Sequence, residues 1–91
     1  MTQVILTADV EDAARWEAAY RTHGDLFEEA GLGAINYTVG PDNHVVMCTD
    51  VADVGAYMDF IKSASTQEAM KGDGVKRDTV KVFVLEKTFP D

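Results

Sequence analysis

The chain is poor in cysteine, proline and positive charge: one Cys, two Pro and eight Lys or Arg among 91 residues. A lone thiol, Cys48, closes no internal disulfide, which fits a reducing cytoplasm and excludes the small cross-linked secreted scaffolds. Sixteen acidic residues against eight basic ones leave a net charge of −8. No basic stripe exists to displace counterions from phosphates, so no nucleic-acid partner is expected, and anionic membrane surfaces are disfavoured for the same reason. No apolar run approaches the roughly 20 residues that cross a bilayer. Met1-Thr2-Gln3 runs into a strand pattern, not into a basic-then-apolar leader. Two histidines and one cysteine without zinc-type spacing give no reason to expect a metal. Neither a glycine-rich phosphate loop nor a Ser-His-Asp order is visible, and no cofactor is expected.

What remains is 46% apolar composition, enough for one modest core, so residues 1–91 are read as a single domain. Val4 to Val10, rich in Val, Ile and Thr, reads as a first strand. Acidic residues at Asp9, Glu11 and Asp12 suit the start of a long helix over about Asp12 to Ala30, stopped by Gly31 and Gly33. Ala34 to Val39 alternates as a second strand, and "GPDN" at Gly40 to Asn43 is turn chemistry. His44 to Val51 then makes an antiparallel hairpin with it. Asp53 caps a helix whose apolar face is Val54, Tyr57, Met58, Ile61 and Ala64. "STQE", Ser65 to Glu68, has the capping-box pattern of a fresh short helix. Thr79 to Phe89 reads as the last strand.

The order strand, helix, strand, strand, helix, strand predicts a ferredoxin-like α+β fold, βαββαβ, with a four-stranded antiparallel sheet and two main helices on one face. The strands look apolar on both sides: Val4, Leu6 and Ala8 against Ile5, Val46 and Cys48 against Val45 and Met47, and the valines of the last strand against Phe83 and Leu85. Helices cover one side only, so the other is expected to meet a second copy of the chain. A homodimer packed through its sheet faces is the expectation.

The stretch "VEDAARWEAAYRTHGDLFEEAG", with Trp16 followed seven residues later by His23, the later "STQEAMKGDGV" and the closing Val84-Leu85-Glu86 together resemble the dimeric α+β barrel superfamily. That superfamily includes antibiotic-biosynthesis monooxygenases, small polyketide cyclases and related lyases, and the likeness is nearest to its short cyclase-like members. The resemblance implies a pocket between helices and sheet in each subunit, and chemistry that in many members needs neither metal nor flavin. The superfamily's monooxygenases pair a strand asparagine with a tryptophan. Here Asn36 stands on a different strand and Trp16 on a helix.

The helix stripe Trp16, Tyr20, His23 and Phe27 carries the functional expectation. His23, whose imidazole can take or give a proton, is the candidate catalytic base, although a histidine at such a place also serves as packing bonded to a backbone carbonyl. Tyr20 is its catalytic partner, donating a hydrogen bond to a developing oxyanion; the plainer role is a core-edge phenol. Trp16, Phe27, Tyr37, His44 and Tyr57 are expected to line the substrate site, with core packing or, for His44, a surface position as the alternatives. The expected activity is that of a small cofactor-independent enzyme, a cyclase, isomerase or lyase, moving a proton on an aromatic or polyketide-like molecule. A non-catalytic binding or assembly dimer and a cofactor-free monooxygenase are the other readings.

Overall fold

A computed structural model describes residues 2–90. Strand β1 (Thr2–Val10) leads into helix α1 (Ala13–Tyr20), a single 3-10 turn (Arg21–His23) and helix α2 (Gly24–Glu29). Strands β2 (Ile35–Val39) and β3 (His44–Val51) form the hairpin, followed by helices α3 (Val54–Lys62) and α4 (Ala64–Gly72) and strand β4 (Val75–Val84). The sheet order is β2-β3-β1-β4, antiparallel throughout, as the βαββαβ reading requires.

Capping starts the helices where short polar side chains stand. Asp12 accepts from the Arg15 N–H at 3.1 Å and Asp53 from the Ala56 N–H at 3.0 Å. The hairpin turn places Asp42 and Asn43 at φ 58°, a conformation that these two residue types tolerate. Asn43 Oδ1 then accepts from the Ala13 N–H at 3.1 Å, fastening the hairpin to the first turn of α1.

Three boundaries differ from the sequence expectation. The long first helix breaks at residues 21–23: the Thr22 hydroxyl bonds back to the Ala19 carbonyl at 2.6 Å and His23 leaves helical geometry at φ −95°, ψ 18°. A β-branched residue with a competing hydroxyl, followed by Gly24, is a weak point in any helix. The short late helix starts at Ala64, because Ser63 rather than Ser65 is its cap, accepting from the Thr66 N–H at 3.3 Å. The last strand begins at Val75 and ends at Val84, since Gly74 at φ 79° makes the turn immediately before it. Thr79 falls in a bulge instead, accepting from the Asp9 N–H at 2.8 Å and donating to the Lys76 carbonyl at 2.6 Å.

Alternation along β1 buries Val4, Leu6, Ala8 and Val10 under the helices, and β3 adds Val45, Thr49 and Val51. Trp16 completes one core cluster and Tyr57 another, with Ile61 and Val82 packed against both. The opposite face is less apolar than expected. Pairing aligns Asn36, Cys48, Ile5 and Phe83 in one row and Thr38, Val46, Thr7 and Lys81 in the next. Every strand interleaves polar residues there, so what lies open is an apolar strip centred on Ile5 and Phe83, not a full apolar sheet face.

Candidate active site

Between the helices and the sheet lies a cavity of about 70 Å³, walled mainly by apolar side chains from all four strands and all four helices. Trp16, Tyr20, His23, Phe27 and Tyr57 all line it. They stand close together. Trp16 stacks on Tyr20 with ring centroids 4.6 Å apart, Tyr20 meets Phe27 at 4.9 Å, and Phe27 lies edge-on to His23 at 6.3 Å. Aromatic pairs at such separations fix each other's orientation.

The residue missing from the sequence expectation is Asp73. The residue is 7% exposed, and its carboxylate grips His23 Nε2 with both oxygens, at 2.9 and 3.0 Å. Fifty residues separate the two in the chain, and no periodicity links them. What sets Asp73 in place is the end of α4: its N–H bonds the Ala69 carbonyl at 3.0 Å, and the next residue, Gly74, turns into the left-handed region. A Cβ on Gly74 would also come within 3.3 Å of the Glu11 carboxylate, while the Gly74 carbonyl accepts from the Glu11 N–H at 2.9 Å. Glycine takes that backbone without strain, whereas most side chains would be strained there. "DGV" in the quoted "STQEAMKGDGV" was the available signal: an acid immediately before a mandatory turn.

With Nε2–H donated to Asp73, the neutral imidazole presents its lone pair on Nδ1, and among the described residues Nδ1 has no hydrogen-bond partner. A buried carboxylate behind a histidine fixes ring orientation and tautomer, which is the arrangement a positioned base requires.

Two phenols share the cavity. Burial, reinforced by the neighbouring Tyr57, Tyr37 and Asp73, pushes the Tyr20 hydroxyl far above its ordinary range, and burial pushes Tyr57 up to about 12. Both are therefore protonated donors at neutral pH. A sign follows for stability. In the unfolded chain a tyrosine ionises from its ordinary 10.0, whereas folded Tyr57 holds its proton to about 12. The unfolded state thus loses protons first, so the contribution is complete below pH 10 and disappears as the pH rises toward 12. Urea unfolding across that interval is expected to show wild type losing about 2 kcal/mol more than Tyr57→Phe.

Two expected site residues stand elsewhere. His44 faces away from the cavity: its Nδ1 bonds Asp9 Oδ1 at 2.7 Å on the opposite side of the sheet, about half-exposed. Because side chains alternate and Val45 takes the buried side, His44 at the strand start falls outward. Tyr37 is not in the inner cavity either. Its ring packs edge-on against Trp16 and Tyr20, both at 5.8 Å, and its hydroxyl donates to Glu17 Oε2 at 2.6 Å. It walls an adjoining hollow of about 390 Å³ that opens outward between α2 and β2. Cys48 sits mid-strand on the open face. Among the described residues no cluster of three His, Cys, Asp or Glu side chains gathers to hold a metal, and no helix is long and apolar enough to cross a membrane.

Neither a protein-family model nor a curated protein matches the chain in sequence. Solved structures do match it in three dimensions. A Bordetella bronchiseptica protein provisionally named an antibiotic biosynthesis monooxygenase is 24% identical, with a TM-score of 0.76 and 97% of each chain covered. SnoaB from Streptomyces nogalater, a cofactor-independent oxygenase, gives 0.66 at 15% identity over 99% of this chain and 97% of its own. A protein from Arabidopsis thaliana gives 0.69 at 12% identity, covering all of this chain and 99% of the other. The chain thus has the ferredoxin-like α+β fold that these structures share, and it is similar to the antibiotic biosynthesis monooxygenases in architecture over essentially its whole length.

Proposed function

We propose that the chain is a cofactor-independent enzyme that removes a proton from a small aromatic or polyketide-like molecule, with His23 as base, Asp73 as its positioning residue, and Tyr20 and Tyr57 as donors to the developing oxyanion. The observation that carries the reading is the His23–Asp73 pair on the wall of an apolar cavity. His23 Nδ1 takes a proton from carbon beside a carbonyl; the electron pair moves onto oxygen, where a neutral phenol stabilises it. The anion then has several fates. It can attack an internal carbonyl and close a ring, expel a leaving group, take the proton back elsewhere, or give an electron to dioxygen and become oxygenated as the oxygen is reduced. The oxygenase branch draws support from SnoaB, which has the same fold and is described as cofactor-independent.

Methyl naphthyl ketone in deuterated water tests the shared first step. The folded protein is expected to speed loss of the methyl proton signal, and His23→Gln to return it to the background rate. A wild type no faster than the background would leave a binding or assembly module as the correct reading, and a variant as fast as wild type would remove His23 as the base. Oxygen uptake with methyl naphthyl ketone checks the fourth branch separately.

The homodimer belongs to this proposal as well. Phe83 is 50% exposed beside Ile5 on the open sheet face, and a second copy across a two-fold axis would cover the strip. Phe83→Lys is expected to convert the sedimenting species to monomer at micromolar concentration. A wild type that sediments as monomer throughout overturns the dimer.

A further inference from the structure

The size of the cavity sets a limit on what reaches His23. About 70 Å³ accommodates several waters or a handful of heavy atoms, whereas a cavity that takes up benzene measures about 150 Å³. An aromatic ring therefore has no room beside the imidazole. The hollow outside is more than five times larger, about 390 Å³, and it shares Tyr20, Phe27, Leu32 and Ile35 with the inner cavity. His23, Asp73 and Tyr57 line the inner space alone, while Tyr37, Gly24 and Gly33 line the outer space alone. The Tyr20–Phe27 ring pair stands where the two join.

The outer walls suit a flat, uncharged body. Ile35, Leu32 and the Phe27 and Tyr37 rings supply apolar surface, and at Gly24 and Gly33 the backbone leaves space: a Cβ built at either meets nothing within 4 Å. Arg21 is the cation at this rim, but its charge is already answered. Its Nε lies 3.9 Å from Glu17 and its guanidinium carbon 5.7 Å from the centre of the Tyr37 ring. With Glu28 also on the rim, an anionic body gains nothing there.

We infer that the ligand of this site is bipartite: a narrow carbonyl-bearing end enters the inner cavity beside His23, and a neutral planar aromatic body occupies the outer hollow between α2 and β2. The inference rests on the proposed site and adds a second subsite with its own selectivity. Substrates whose carbonyl is embedded in the ring system do not reach the base, whereas those carrying it on a short side arm do.

Gly33→Leu and Gly24→Leu test the second subsite from opposite walls, each placing a side chain into open space at a position where φ is not in the left-handed region. Binding is read from the indole N–H resonance of Trp16, the chain's only tryptophan, with methyl naphthyl ketone as the full probe and butanone as the head alone. Wild type is expected to bind the naphthyl ketone at least about tenfold more tightly than butanone, equivalent to about 1.4 kcal/mol. Either leucine variant that melts cooperatively is expected to lose most of that advantage while binding butanone unchanged. The inference is overturned if wild type binds the two ketones equally, or if both folded variants hold the naphthyl ketone as wild type does. Binding is independent of chemistry, so His23→Gln is expected to keep the naphthyl preference. Two-part binding without proton exchange would sink the enzymatic reading alone, and exchange without the naphthyl preference would sink this inference alone.

Discussion

His23→Gln is expected to lower kcat by about 10² to 10⁴ with little change in KM, the range that a positioned general base contributes. The substitution separates chemistry from architecture. A glutamine amide still has an N–H to donate to the Asp73 carboxylate, so the buried acid keeps a partner and the fold is expected to survive. What glutamine lacks is a basic nitrogen in the place of Nδ1. Asp73→Asn gives the complementary result: the ring stays in the cavity wall, but an amide accepts and donates through different atoms and no longer selects one tautomer. It is expected to lower kcat while leaving KM in place, and a rise in KM with unchanged kcat would show that Asp73 merely shapes the pocket. Full activity in His23→Gln would remove the imidazole from the mechanism, whatever Asp73 does.

The second large effect is on stability. Trp16 is 1% exposed, the largest of the fully buried side chains, and it joins the Leu6, Ala8, Val10 and Val45 cluster to the Tyr20 and Tyr37 rings. Truncating a buried aromatic of this size costs about 3–5 kcal/mol through lost burial and the cavity left behind. Domains of this length have about 5–15 kcal/mol in hand, so Trp16→Ala is expected to remove a large share of the total. In thermal unfolding the drop would be about 15–30 °C, at several degrees per kcal/mol for a chain of this size. Trp16→Phe is expected to recover much of it, since an aromatic face against Tyr20 remains. A Trp16→Ala loss below about 1 kcal/mol, the scale of an ordinary single substitution, would mean that the sheet carries the core without its aromatic wall.

The two effects meet in one stripe. Trp16, Tyr20, His23 and Phe27 recur at intervals that one helical face requires, and the chain's periodicity alone was enough to place them toward the core. Strand alternation did the same for β1 and β3, and "GPDN" fixed the hairpin between β2 and β3. The βαββαβ order needed nothing else, because short antiparallel connections and right-handed crossovers leave few alternatives. Where local signals compete, boundaries moved: Ser63 outcompeted Ser65 as a cap, and Gly74 began the last strand four residues before Thr79.

By itself, then, the chain's order of residues determined the strand and helix pattern, the aromatic wall and the imidazole within it, since each is a matter of neighbours a few positions apart. Only the tertiary structure decided the partner of that imidazole, the displacement of His44 to the far side of the sheet and the division of the space into a narrow inner cavity and a wide outer hollow. Asp73 meets His23 across 50 positions, through the end of α4, a left-handed glycine and the bend at residues 21–23. Such a contact depends on how packed elements sit in space, and no local repeat in a sequence encodes that distance.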